Sequence, residues 1–164
     1  MLSSLRRFEA IARALAQLTQ HEPATQPTVE TGTLHPFDVR NVHPDLPPKV
    51  KRLFDDGHYA EATYHAFKYL DKKVSMLSAI GKSGFQLMMD AFGGAAPKIK
   101  LNAMTSVSEK DEQAGYQFIF AGGMQGIRNP RGHEFTAVDS IDTCLDHLSF
   151  VSMLLRRLEQ SGYK

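Results

Sequence analysis

Cysteine is nearly absent, with Cys144 the single one in 164 residues. One thiol excludes a disulfide framework within the chain and fits a reducing compartment, so a cytoplasmic location is expected. Tryptophan is missing altogether, and so is an excess of either charge: 19 Lys and Arg stand against 18 Asp and Glu. A polycation that coats nucleic acid by bulk charge is thereby excluded, and any grip on phosphate has to come from a local patch. Apolar runs are only a few residues long, so no transmembrane helix and no membrane partner are expected. What is present is a 42% hydrophobic share, enough to pack one domain in a chain too short for two.

Proline is scarce except in one place. Six of the eight prolines fall between His21 and Pro48, among Thr, Gln and few large apolar residues. Proline lacks the backbone donor and fixes φ, so no long helix is expected there. Residues 21–44 read as a Pro-rich linker, with Leu34 to Val42 as an ordered, extended piece. Ahead of it, Leu5, Phe8, Ile11, Leu15 and Leu18 share a helical stripe, which predicts an N-terminal amphipathic helix over residues 1–20.

Residues 45–164 carry the main domain. Val50, Leu53 and Phe54 predict a short helix stopped by Asp55-Asp56-Gly57. A long helix follows over about His58 to Leu77, on the stripe Tyr59, Ala62, Ala66, Leu70, Val74 and Leu77. Phe85 to Phe92 predicts a further helix, and Gly93 to Thr105 a loop. Ser106-x-x-Glu109 and Ser108-x-x-Asp111 are overlapping capping boxes for the next helix, which runs through Phe120 and Met124 to Arg128. That helix is expected to weaken at Asn129, because a residue before proline is pushed out of the α region. Thr136-x-x-Asp139 is expected to cap the last helix, with Val138, Ile141, Leu145, Leu148, Val151, Leu155 and Leu158 buried. No segment alternates with period two. The fold class is all-α, a helical bundle.

Several motifs fail on inspection. Gly81-Lys82-Ser83 lacks the upstream glycine and strand of a P-loop, and the glycines of Ala121-Gly122-Gly123-x-x-Gly126 suit close helix approach. His58, Glu61 and His65 share a helix face, yet the paired Glu-x-x-His spacing of a di-metal bundle is absent, so no metal is expected. The methionines read as core filler and Cys144 as a buried, inert thiol.

Chemistry concentrates at Arg128-Asn129-Pro130-Arg131-Gly132-His133. RNA carries its own nucleophile, the 2′-hydroxyl, beside every phosphodiester. Cleavage needs a base for that hydroxyl, an acid for the leaving 5′-oxygen and donors for the charge that develops on phosphate. His133 can serve as base or acid near neutrality. Arg128 can fork two donors onto phosphate, and Asn129 can orient the imidazole or a phosphate oxygen. Pro130 and Gly132 predict a bend that lets Arg128 and His133 face one pocket. Arg131 adds phosphate affinity or points to solvent, and Glu61 and Glu134 orient neighbours or substrate. The set needs no cofactor. The structural alternative is an arginine bonding helix-end carbonyls beside a capping histidine.

Phe54-Asp55-Asp56-Gly57-His58-Tyr59-x-Glu61-Ala62, followed by Phe67-Lys68, resembles the start of a HEPN-type domain of the Ymh family. The resemblance runs on through Gly122-x-x-x-Gly126-x-Arg128-Asn129-Pro130-x-x-His133-Glu134 to Leu154-Leu155-Arg156-Arg157-Leu158. It implies a helical bundle, commonly dimeric. It also implies metal-independent endoribonuclease activity in toxin–antitoxin, abortive-infection or other antiphage systems, with Arg128, Asn129 and His133 as the motif. A cognate antitoxin or defence-system protein is an implied partner. One imidazole per chain falls short of an acid and a base, so a homodimer pooling two sites across a twofold axis is expected. The alternative is a non-catalytic HEPN module that binds nucleotide, RNA or a partner protein.

Overall fold

The computed structural model describes residues 34–134 and 136–163. The expected N-terminal helix and the linker up to residue 33 lie outside them. Helices account for all the regular structure among the described residues, in the order α1 (Pro36–Val39), α2 (Pro48–Asp55), α3 (Tyr59–Ser78), α4 (Gly84–Phe92), α5 (Val107–Gly122), α6 (Asn129–His133) and α7 (Ile141–Gln160). A π-helical turn, Gly123–Arg128, joins α5 to α6 without a break. The bundle is all-α, and none of the described helices is long and apolar enough to cross a membrane.

Two 20-residue rods, α3 and α7, form the frame. They run in the same sense: Thr63 meets Asp139 just ahead of α7, and Phe67 faces Phe150 at 6.2 Å. The rod α5–α6 runs against both, so that Gly123 approaches Phe67 and Phe150 while Tyr64 meets Arg128 and Gly132. A Cβ on Gly123 would stand 2.9 Å from Phe150 and 3.0 Å from Phe67, which is why this crossing needs glycine. Helix α4 lies antiparallel on α5, with Phe92 stacked on Phe120 at 4.3 Å. The core between them holds Phe67, Leu70, Leu87, Met88, Phe120, Met124, Leu148, Leu154 and Leu155, all fully buried.

The loop from Gly93 to Thr105 is pinned by one buried amide. Gln113 Nε2 donates to the carbonyls of Phe92 (2.8 Å) and Ile99 (3.0 Å), and its Oε1 accepts from the Leu101 amide at 2.8 Å. Both donors and the oxygen are engaged, so the group is buried at little cost.

The structure corrects several expectations. Leu34 to Val42 is not extended: His35 caps a helical turn by accepting the Phe37 amide, and Pro36 sits at the first position, where a missing donor costs nothing. This segment also binds the bundle, since the His43 amide donates to Ser152 Oγ at 2.9 Å and Arg156 donates to the Asn41 carbonyl at 2.6 Å. By contacts, this segment groups with the unit Leu34–Lys164. Asn129 stays helical at φ −62° and ψ −46°; the wider π turn just before it accommodates Pro130 without ending the rod. Thr136 and Asp139 do not cap the last helix: Ser140 does, by accepting the Thr143 amide at 3.1 Å, and Val138 stands 89% exposed. Asp139 is diverted to another partner, described below. Met76 and Met153 are exposed on the bundle surface, whereas Met88 and Met124 do fill the core.

Candidate active site

The stretch Arg128–His133 is the end of a rod rather than a bend between rods. Residues 128 and 133, five apart on a helix, point about 140° away from one another. Their surroundings follow from that. Arg128 lies over the Tyr64 ring, 5.6 Å from its centre, with Nη1 donating weakly to Asn129 Oδ1 at 3.4 Å. Its Nε is buried without a hydrogen-bond partner, and Nη1 faces Gly84 at the start of α4. His133 is exposed and lines a cavity of about 270 Å³ with Ala60, Glu61, Arg131, Gly132, Glu134 and Ala137. The structure thus gathers His133, Glu61, Glu134 and Arg131 around one cavity, and leaves Arg128 and Asn129 off its lining. Arg128 and His133 do not line this cavity together.

Tyr64 touches both halves. Its ring carries Arg128 and also packs against Gly132, where an added Cβ would come to 2.8 Å from the ring. Gly132 is therefore required for close approach and not for a turn.

Arg131 is neither in solvent nor available to phosphate. Nε donates to Asp139 Oδ2 at 2.7 Å, Nη2 donates to Asp139 Oδ1, and Nη1 donates to the Ile127 carbonyl at 2.8 Å. Thr63 adds a fourth bond, donating to Asp139 Oδ2 at 3.2 Å. Burial raises the Asp139 carboxyl, but the Arg131 bonds and charge outweigh it and hold the group below its ordinary range. His147 lies 3.6 Å from Asp139 Oδ2; burial first, then Arg131, lowers its pKa against the pull of Asp139. Cys144 is fully buried in the same neighbourhood, and burial pushes its thiol up to about 11, as expected of an inert thiol. This cluster locks α6 to the start of α7 and so fixes the wall of the His133 cavity. Sequence reasoning missed it because Arg131 and Asp139 read as a phosphate ligand and a cap; their spacing of eight residues across a loop carries no periodic signal.

His43, Asp45 and Glu159 bring potential ligand atoms within 4.8 Å of one another. Their hydrogen bonds argue against a metal. His43 Nδ1 accepts the Asp45 amide at 3.1 Å, so Nε2 carries the hydrogen and faces Glu159 Oε2 at 3.1 Å. The ammonium of Lys73, itself buried, lies 3.4 Å from Asp45 Oδ2 where a cation would sit. The set is a tie between α3, α7 and the segment ahead of α2. His58, Glu61 and His65 do not gather in this way among the described residues.

The described residues form an all-α bundle that carries an arginine and an exposed histidine at one helix end. The family model described as "Protein of unknown function (Hypoth_ymh)" matches residues 40–158, and the chain belongs to that family. No curated protein and no solved structure matches it.

Proposed function

We propose that the protein is a metal-independent endoribonuclease of a toxin–antitoxin or antiphage system, acting as a homodimer. The observation that supports this reading best is a pair of unpartnered groups. Among the described residues neither Arg128 nor His133 has a carboxylate within ion-pair distance, although six other Lys and Arg side chains do. A half-buried guanidinium with no carboxylate partner favours the approach of an anion. The π-helical turn ahead of it agrees, since such turns are frequent at functional sites. The resemblance to HEPN domains at Arg128, Asn129 and His133 points the same way.

In this mechanism the 2′-oxygen bonds to phosphorus and the bond from phosphorus to the 5′-oxygen breaks, leaving a 2′,3′-cyclic phosphate and a 5′-hydroxyl. One His133 accepts the 2′-proton and the His133 of the second copy supplies the proton to the 5′-oxygen. Arg128 stabilises the pentacoordinate transition state and Asn129 holds a phosphate oxygen. Glu61 and Glu134, on the cavity wall, orient His133. Because Arg128 and His133 diverge within one chain, pairing across a twofold axis is what brings a guanidinium from one copy to an imidazole of the other.

That divergence also favours the second reading, a non-catalytic HEPN module that binds RNA, nucleotide or a partner protein. Purified protein given mixed RNA in EDTA separates the two. Cleavage that survives chelation, leaves cyclic phosphate ends and is lost in His133→Ala and Arg128→Ala is the expected result. Intact RNA with the wild type at every protein concentration selects the binding module. Cleavage by a stable monomer, measured by sedimentation, removes the shared site.

A further inference from the structure

Net charge near neutrality leaves phosphate affinity to a local patch, and the outer face of α3 supplies one. Along α3, Glu61, His65, Lys68 and Lys72 recur at steps of four, three and four residues, which places them on one stripe. Lys68 and Lys72 are exposed and His65 is half-buried. The stripe joins Arg128 at Tyr64: Lys68 Nζ lies 6.0 Å and Arg128 Cζ 5.6 Å from the centre of that ring. Lys49 of α2 is exposed and acts on the same face: after burial, the charges of Lys49 and then Lys68 lower the His65 pKa.

Among the described residues Lys49, Lys68, Lys72 and Arg128 have no carboxylate within ion-pair distance, as is also true of Lys98, Lys100 and Lys110, while Lys51, Lys73 and Lys82 each have one. What distinguishes the α3 face is that Lys68 and Arg128 meet at one ring. Asp71, adjacent in sequence, is buried and turned to the Gly84 amide at 2.6 Å. A solvated helix face interleaves its signs at four-residue steps. From His65 to Lys72 this one does not, and the next acid is Glu61 at the rim of the His133 cavity.

We propose that the face carrying Lys49, Lys68 and Lys72 is the track along which the backbone of a single-stranded nucleic acid reaches Arg128. Lys68 and Lys72 are one turn apart, about 6 Å, a spacing that phosphates of a flexible strand can follow. The complementarity is of charge, from an unpaired cluster on a chain of net charge +1. Its role as an entry to cleavage rests on the ribonuclease reading; its affinity for the strand does not.

The test uses the full chain and a labelled 2′-O-methyl oligouridine, which has no nucleophile and so reports binding without cleavage. Fluorescence anisotropy over a range of KCl concentrations compares the wild type, K49A/K68A/K72A and the charge-matched control K98A/K100A/K110A. Circular dichroism checks that each is folded, and K49R/K68R/K72R is expected to bind as the wild type does. The track variant is expected to lose at least about tenfold in affinity, and its salt slope to fall by about 2, from 0.7 per lost contact. The control is expected to keep both. Equal loss in the two triple variants, no binding by the wild type, or binding to phosphatidylserine vesicles in place of the oligonucleotide overturns the track. If ordinary RNA is cut and the track variant cuts it with unchanged KM, the track fails and the ribonuclease reading stands. If binding follows the track and no RNA is cut, the ribonuclease reading fails by itself.

Discussion

Arg131 and Asp139 form a buried, two-pronged ion pair, with Nε donating to Oδ2 at 2.7 Å and Nη2 to Oδ1. The pair closes a loop of eight residues around His133 and sets which way the cavity wall faces. Removing one partner leaves the other charge buried and alone, which costs far more than the pair contributes.

Asp139→Ala is accordingly expected to lower stability by about 3 kcal/mol in urea unfolding. Arg131→Ala is expected to do the same. Combining the two changes is expected to cost less than their sum, because the second removes the orphan left by the first.

Glycines at two points of the same rod should respond oppositely. A methyl on Gly123 meets Phe150 and Phe67 at 2.9 and 3.0 Å, and Gly123→Ala is expected to cost about 1–3 kcal/mol. A methyl on Gly126 meets open space, and Gly126→Ala is expected to be neutral or to stabilise by about 0.5 kcal/mol. Thermal unfolding of the two variants checks the contrast.

Gly132→Ala would press a methyl to 2.8 Å from the Tyr64 ring. Ring or helix has to shift, and because Tyr64 also carries Arg128, both proposed catalytic groups move with it. RNA cleavage is expected to fall about tenfold, from an added barrier of about 1.4 kcal/mol. Tyr64→Ser in the same chain relieves the clash and is expected to restore the fold while leaving cleavage low, since Arg128 then lacks its support.

Acid should unmask the cap of α5. Glu109 accepts from Thr105 Oγ1 (2.6 Å) and from the Thr105 and Ser106 amides (2.7 and 3.0 Å), all on one oxygen. These bonds, the Thr105 hydroxyl first, lower its pKa to about 2. The folded value lies below the unfolded one, so the stabilisation is complete above about pH 4.5 and is lost as pH falls towards about 2. Glu109→Ala is expected to melt below the wild type at pH 6 and level with it near pH 2, measured by circular dichroism.

Much of the fold was legible because it depends on spacing. The α3 stripe from Ala62 to Val74, the α7 stripe from Leu145 to Leu158, the Gly57 stop and the Ser106–Glu109 box follow from apolar periodicity and local capping, and they stand where the spacing put them, whereas Val138 and Ile141 are exposed. Less of the site was legible. Arg128, Asn129 and His133 do lie together along the chain, but the expected bend is a continuous helix, and Arg131 is engaged by Asp139.

By itself, the sequence determined the all-α character of the described residues, the extent of their long helices and the candidate stretch Arg128–His133. Only the tertiary structure decided which partners those side chains meet, that Gln113 pins the loop and that Tyr64 packs against both Arg128 and Gly132. The reason is physical. Periodicity is a property of neighbours three or four apart, whereas a side chain's direction depends on the phase of its helix and on partners from distant segments. One π turn changes that phase, and neither it nor a pairing across a loop leaves a repeating mark in the residue order.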